Sequence, residues 1–136
     1  MQKAAFNIKE YRFEKFTLNL ANHSDKELDI KFETTGRFKE STSEFELTFR
    51  SIIFSKGNEE NNFVDVTCKG LFGFENVSGL DEIPDFFYRN SIALLFPYLR
   101  AYVSIVTTQA NVPGVILPTY NLSSLADILK SQTSTI

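Results

Sequence analysis

The stretch LDIKFETTGRF, residues 28–38, has the most regular alternation in the chain and decides the fold class. Its even positions hold most of the apolar side chains, among them Ile30, Phe32 and Phe38, whereas its odd positions hold charged ones such as Lys31. Because successive side chains of a β-strand point to opposite faces, this spacing predicts a strand with one buried face and one polar face.

Three further segments around this stretch have strand-like patterns. Residues 44–50 alternate in the same way, and the apolar run at residues 52–54 predicts a strand end that is covered on both faces. A polar connection, residues 56–62, leads to residues 63–74 and indicates an antiparallel hairpin. In residues 6–20 the apolar parity flips twice, which indicates a β-bulge or a sheet with two occupied faces.

After Gly79 the apolar residues fall at helical spacing, most clearly over residues 95–106. Pro97 lies inside this pattern, and because a proline lacks the N–H that a helix interior requires, we expect a break just before it. Residues 112–118 contain two prolines and four aliphatic residues, which predicts an extended and unusually apolar loop. Asn121 is expected to cap a short helix that ends at Lys130, and residues 131–136 are expected to fray.

These elements predict a single α+β domain over residues 1–136. It consists of a four-stranded antiparallel sheet followed by a long helix, an apolar connecting loop and a short C-terminal helix, with the helices on one face of the sheet. The 14 Phe and 5 Tyr residues are a large aromatic content for so small a domain. Some of these rings are therefore expected to face a partner.

The composition argues against several classes of function. The net charge of −3 disfavours a nucleic-acid partner, and a lone Cys and a lone His cannot complete a four-ligand zinc site. Cys68 shares the apolar face of its strand, His23 lies in a polar string, and no nucleotide-binding glycine motif is present, so we expect no metal, no cofactor and no enzyme activity. The N-terminus has no secretory pattern and residues 92–106 are too short to cross a bilayer, which predicts a cytoplasmic protein without direct membrane insertion.

The string Leu95-Phe96-Pro97-Tyr98-x-Arg100 resembles a motif of the SecB protein-export chaperones. The resemblance continues downstream through Val103-Ser104, Pro113, Leu117-Pro118 and Asn121-Leu122-x-x-Leu125, and upstream through Val66-x-x-x-Gly70-x-Phe72-x-Phe74 and Ser78-Gly79. It spans roughly Phe45 to Leu129. It implies the layout predicted above and a homotetramer built as a dimer of dimers. It also implies an ATP-independent holdase that binds unfolded preproteins in apolar grooves and keeps them competent for translocation through SecA.

The same resemblance implies three sets of site residues. Client-binding residues are expected beside the loop and, less directly, on the sheet: Phe38, Phe45, Val112, Val115, Ile116, Leu117, Tyr120 and Leu122. SecA contacts are expected on the exposed face of the sheet, at Glu14, Phe63 and Asp65. Contacts between subunits are expected at Tyr98 and Tyr102. For each set the alternative is ordinary packing within one subunit.

The chain departs from the family pattern at its end. Many SecB proteins carry a C-terminal extension that docks on SecA, whereas this chain stops at residues 131–136. Either the strand-face contacts suffice, or SecA is not the partner. A related class of SecB-like proteins serves as chaperones dedicated to an antitoxin of a toxin-antitoxin system, which is the second hypothesis. A third, of another class, is a small-ligand binding domain.

Overall fold

One five-stranded sheet organises the chain, which a computed structural model describes over residues 5–24, 27–113, 115, 117 and 122–136. The strands are β1 (Ala5–Leu18), β2 (Leu28–Lys39), β3 (Glu44–Ser55), β4 (Asn62–Glu75) and β5 (Thr133–Thr135), and their order across the sheet is β1-β4-β3-β2-β5. The first four are antiparallel neighbours, whereas β5 runs parallel to β2.

The fifth strand corrects two predictions. The sheet is mixed and five-stranded, not four-stranded and antiparallel, and the segment 131–136 that was expected to fray contains β5. The physical reason is the edge of β2, whose backbone N–H and C=O groups need partners and take them from the chain end. Ile136 N–H donates to the carbonyl oxygen of Phe38 at 2.9 Å.

The irregular pattern of the first strand comes from two bulges. The register of β1 against β4 shifts between Ile8 and Glu10 and again between Phe13 and Lys15. Each extra residue reverses the parity, and this keeps Phe6, Ile8, Phe13, Phe16 and Leu18 packed against the core. The predicted bulge is confirmed.

The end of β3 is buried on both faces, as predicted. All residues from Ser51 to Ser55 are buried. On the outer face, the segment of residues 19–24, which includes a 3-10 helix (Leu20–Asn22), folds over this end of the sheet. It is held by the Asn22 side-chain amide, which donates to the Asn62 carbonyl oxygen at 2.8 Å, and by the Ser24 hydroxyl, which donates to the Ser55 hydroxyl at 2.8 Å.

Helix α1 (Asp85–Gln109) is continuous through Pro97, so the predicted break is wrong. An interior proline costs about 3 kcal/mol. Burial of neighbouring side chains, each worth about 1.5–3 kcal/mol, offsets this cost. Leu95 and Leu99, on either side of Pro97, are fully buried, and the Pro97 ring faces solvent.

By length and composition α1 could also span a bilayer, but core helices share that property. The buried stripe of α1 belongs to the same apolar cluster as the sheet.

Helix α2 (Ser123–Ser131) closes the fold next to β2 and α1. Leu125, Ala126 and Leu129 are its buried residues. Leu122 occupies the N-cap position, and Asn121, the predicted cap, lies outside the described residues. Both helices contribute to a single buried cluster with the inward side chains of β2, β3 and β4.

Candidate functional site

Phe38 and Phe45, predicted to bind clients, are core residues in this structure. They are register partners on β2 and β3, and neither is exposed. The Phe38 ring lies 5.9 Å from Phe74, and the Phe45 ring lies 4.8 Å from Phe87 of α1, both edge to face. The helices cover this part of the sheet, so these two rings support the neighbouring surface from beneath.

The apolar loop after α1 is anchored onto the same core. Val115 N–H donates to the Thr107 hydroxyl at 2.9 Å, and that hydroxyl donates to the Val103 carbonyl oxygen at 2.8 Å. Val115 is 8% exposed and Leu117 is fully buried. A hydrogen bond from a loop amide to a helix side chain therefore fixes Val115, and both of these predicted client residues lie in the core.

The other predicted loop residues differ in accessibility. Val112 and Leu122 are half-buried and pack on the edge of the apolar cluster, one at each end of the loop. Ile116 and Tyr120 lie outside the described residues. Val112 and Leu122 are thus the predicted client residues whose apolar surface is partly open in the described parts of the chain.

Helix α1 carries a second apolar surface that faces away from the sheet core. We call it the α1 ridge, and it consists of Phe86, Leu94, Tyr98 and Ile105, which are 44–62% exposed. An open depression of about 450 Å³ lies beside it, and its lining residues are Phe96, Pro97, Arg100, Ala101 and Ser104.

The two predicted subunit-interface tyrosines occupy different environments. Tyr98 belongs to the α1 ridge and stacks on Tyr11 of β1 with ring centroids 4.1 Å apart. Tyr102 stacks on Phe13 at 3.9 Å and meets Phe16 edge to face at 5.6 Å. Tyr102 therefore packs α1 onto β1 within one chain, and Tyr98 keeps 44% of its surface exposed.

The opposite face of the sheet is charged. Arg50 makes a bidentate contact with Asp65, at 2.9 Å from Nε to Oδ1 and 2.7 Å from Nη2 to Oδ2, and contacts Glu33 at 2.8 Å. The hydrogen bonds that Arg50 donates to Asp65 raise the pKa of its guanidinium above the ordinary value. This network crosses β2, β3 and β4, so it orders charged side chains into a fixed surface.

A second ion-pair network on this face contains one of the predicted SecA contacts. Lys69 lies 3.2 Å from Glu14 and 3.6 Å from Glu46, which joins β1, β3 and β4. Glu14 keeps 41% of its side chain exposed, whereas that of Asp65 keeps only 15%. Both nevertheless belong to the charged face.

Phe63 does not share this exposed face, contrary to the prediction. Its side chain is only 1% exposed, because the segment of residues 19–24 covers it, and the His23 ring lies 4.8 Å away. Phe63 lies two residues before Asp65 in β4, so both side chains point to the same side of the sheet. Alternation alone therefore could not reveal the covering segment.

Little reactive chemistry is present in the described residues. Burial raises the pKa of the Cys68 thiol to about 12, which keeps it protonated and unreactive at neutral pH. No group of three or more His, Cys, Asp or Glu side chains that could hold a metal ion occurs within residues 5–24, 27–113, 115, 117 and 122–136. What the surfaces offer is apolar and ionic contact.

Sequence reasoning missed most of the α1 ridge. The spacing of Phe86, Leu94, Tyr98 and Ile105 by eight, four and seven residues already places them on one helix face. Phe86 and Leu94 precede residues 95–106, where the helical spacing is clearest, and this hid the pattern.

Comparison with known proteins identifies the family of the chain. A family model described as preprotein translocase subunit SecB matches residues 4–131. An uncharacterized protein of Methanocaldococcus jannaschii is 31% identical over 117 residues, which cover 81% of this chain and 74% of that protein. Protein-export protein SecB of Acinetobacter baylyi is 27% identical over 111 residues, covering 79% and 72%.

A solved structure shares the fold. It is a SecB-like chaperone of Mycobacterium tuberculosis in complex with a ChAD peptide from the HigA1 antitoxin. The TM-score is 0.69 at 18% sequence identity, and the match covers 85% of this chain and 88% of that one.

Proposed function

The chain belongs to the SecB family of chaperones, and we propose that it is an ATP-independent holdase that binds non-native preproteins and keeps them competent for the Sec pathway. The observation that carries this proposal is the family match over residues 4–131, which includes β1–β4, both helices and the loop between them. We propose that it acts in the cytoplasm.

Clients would bind along the loop at Val112, Val115, Ile116, Leu117, Tyr120 and Leu122. A well-buried apolar client side chain gains about 1.5–3 kcal/mol, so several shallow contacts hold a chain without demanding one sequence. Because Leu117 is fully buried, a client reaches it only when the loop lifts from the core.

The α1 ridge supports a homotetramer built as a dimer of dimers. Four large apolar side chains on one helix face are rarely left in water, and a subunit interface would cover them. Tyr98 would contact another subunit, and Tyr102 would hold α1 in position from within the chain. A small-ligand domain fits less well, since the depression beside the ridge is open to solvent.

The charged face of the sheet is the proposed contact for SecA. Glu14 and Asp65, with Glu33 and Glu46, form ion pairs with Lys69 and Arg50, which hold charges of both signs in fixed positions on this face. Such a fixed arrangement favours a partner whose charges are complementary to it.

The second candidate is a chaperone dedicated to an antitoxin. The observation that favours it is the structural neighbour, a SecB-like chaperone that was solved with an antitoxin peptide. Both candidates use the same apolar groove, and they differ in the partner that occupies it.

Suppression of aggregation tests the proposal. The purified protein, at stoichiometric amounts and without nucleotide, is expected to slow light scattering by reduced insulin. The double variant Val112→Asp, Leu122→Asp should bind clients about five- to tenfold more weakly, since each site loses part of one apolar contact. Ile128→Asp is the matched control, because Ile128 is an exposed apolar residue of α2 outside the proposed groove.

Three outcomes separate the candidates. Suppression that the double variant loses and the control retains supports the holdase. Failure of the unaltered protein to suppress aggregation, together with co-purification of one small antitoxin, selects the dedicated chaperone. Failure in both assays contradicts both. Binding of purified SecA to the holdase then tests its place in export.

A further inference from the structure

Strand β5 occupies the edge of β2 in cis. Thr133, Ser134 and Thr135 pair in parallel with Gly36, Arg37 and Phe38. Gly36 N–H donates to the Gln132 carbonyl oxygen at 3.3 Å, and Ile136 N–H donates to the Phe38 carbonyl oxygen at 2.9 Å. This edge therefore accepts an extended polypeptide segment through its backbone.

The segment that sits there contributes little to the core. Thr133 is half-buried, while Ser134, Thr135 and Ile136 are exposed, and none of them belongs to the apolar cluster. Its side-chain anchor is the Thr133 hydroxyl, which donates to the Leu129 carbonyl oxygen at 2.6 Å. A three-residue strand held mainly by backbone contacts is readily exchanged for another.

The surroundings of this edge suit a non-native chain. Helix α2 begins directly after Leu122, at the end of the proposed client loop, and packs beside β2, so α2 connects that loop to the edge. Further along β2, Ile30 N–H donates to the Asp29 carboxylate at 2.9 Å. Ile30 has the same parity as Gly36, so its amide points to the same edge. The outward groups of β2 thus have local partners at both ends, as protected edge strands do.

We propose that the β2 edge at Gly36–Phe38 is a strand-addition site for an extended segment of a non-native polypeptide, and that β5 is its displaceable occupant. Backbone pairing is independent of sequence, which suits a chaperone with varied clients. The inference rests on the proposed chaperone function and specifies how a client is held.

Two proline variants separate pairing from side-chain effects. In a parallel ladder, alternate residues bond to the neighbour, and the two bonds from Gln132 and Ile136 place Ser134 in that set. Ser134→Pro removes a donor to β2. Thr135→Pro is the matched control, because an edge strand tolerates proline where its N–H faces away from the sheet.

The probe is reduced, carboxymethylated α-lactalbumin, which stays unfolded and has no free thiol. Ser134→Pro should bind it about three- to tenfold more tightly than the unaltered protein, since the competing strand is released. Thr135→Pro should leave the affinity unchanged. Amide hydrogen exchange should show Gly36 and Phe38 less protected in free Ser134→Pro, with protection restored when the probe binds.

A disulfide between β5 and β2, called the lock here, has the opposite effect, because it prevents β5 from leaving the β2 edge. Arg37 and Ser134 are register partners on adjacent strands, a spacing that a disulfide can bridge. The double variant Arg37→Cys, Ser134→Cys should bind the probe weakly when oxidised and recover when reduced. Probe binding that the lock does not change, with Gly36 and Phe38 unprotected in the complex, overturns the strand-addition site but leaves the holdase standing. Absence of probe binding in every variant overturns both.

Discussion

Gly36→Ala should destabilise the fold because the packing at this position leaves no room for a methyl group. An ideal Cβ at Gly36 would lie 2.8 Å from Cε1 of Phe45 and 2.7 Å from the Thr133 hydroxyl, with Cζ of Phe45 closer still. Phe45 is fully buried and its ring lies 4.8 Å from Phe87. It therefore cannot move aside without disturbing the core.

The size of the effect follows from two opposing terms. Overpacking a core costs about 1–3 kcal/mol. Replacing glycine by alanine recovers about 0.4–1 kcal/mol by reducing the freedom of the unfolded chain. The expected net loss is about 1–2 kcal/mol of unfolding free energy. With a urea m-value of about 1–3 kcal/mol/M, the midpoint should fall by about 0.3–2 M.

Gly73→Ala is the matched control on the neighbouring part of the sheet. Its added methyl would lie 2.8 Å from Cε of Lys9, the far end of a flexible and exposed side chain that can swing away. Its free energy of unfolding, measured in urea at one fixed protomer concentration, should lie within about 0.5 kcal/mol of that of the unaltered protein. Equal stability of the two variants would refute the packing described around Gly36.

Three further predictions concern other parts of the chain. The Cys68 thiol should resist Ellman's reagent in the native protein at about pH 8 and react in concentrated urea. Because its pKa is raised from 9.0 to about 12, its contribution to stability is complete below pH 9.0 and is lost as the pH rises towards 12, and Cys68→Ala should remove that part of the pH dependence. Arg50→Met leaves Asp65 without its bidentate partner and should cost about 0.5–1.5 kcal/mol in urea unfolding, less at high salt because the pair is partly exposed. Tyr98→Glu should yield species smaller than the proposed tetramer by light scattering with unchanged circular dichroism, whereas Ile128→Glu should not.

The sequence alone was sufficient to predict the features that depend on the alternation of neighbouring side chains. Alternation located the four long strands, and the two parity flips of the first strand became bulges beside Lys9 and Glu14. The apolar run at the end of β3 correctly indicated burial on both faces. These features depend on side-chain period alone, which a sequence states directly.

Features that depend on distant contacts were not predictable in this way. The continuity of α1 through Pro97 depends on how firmly Leu95 and Leu99 are packed against the sheet. Strand β5 has only Thr and Ser at its three positions and forms because the β2 edge offers backbone partners. Neither condition is written in the local pattern.

The candidate site shows the same limit. Phe38 and Phe45 are aromatic residues of the kind expected in a binding groove. Only their complete burial shows that they belong to the core. Phe63 has the parity of an exposed residue and is covered by a segment that precedes it by some forty positions in the chain. The resemblance supplied the family, and the fold decides which of its expected surface residues reach the surface.

Discrimination between native and non-native protein tests the central claim most directly. The protein is mixed without nucleotide with reduced, carboxymethylated α-lactalbumin or with the native, disulfide-bonded form, and each mixture is analysed by size-exclusion chromatography with light scattering. The holdase account predicts a stable complex with the unfolded form and none with the native form. Failure to bind the unfolded form, or equal binding of both forms, would contradict it.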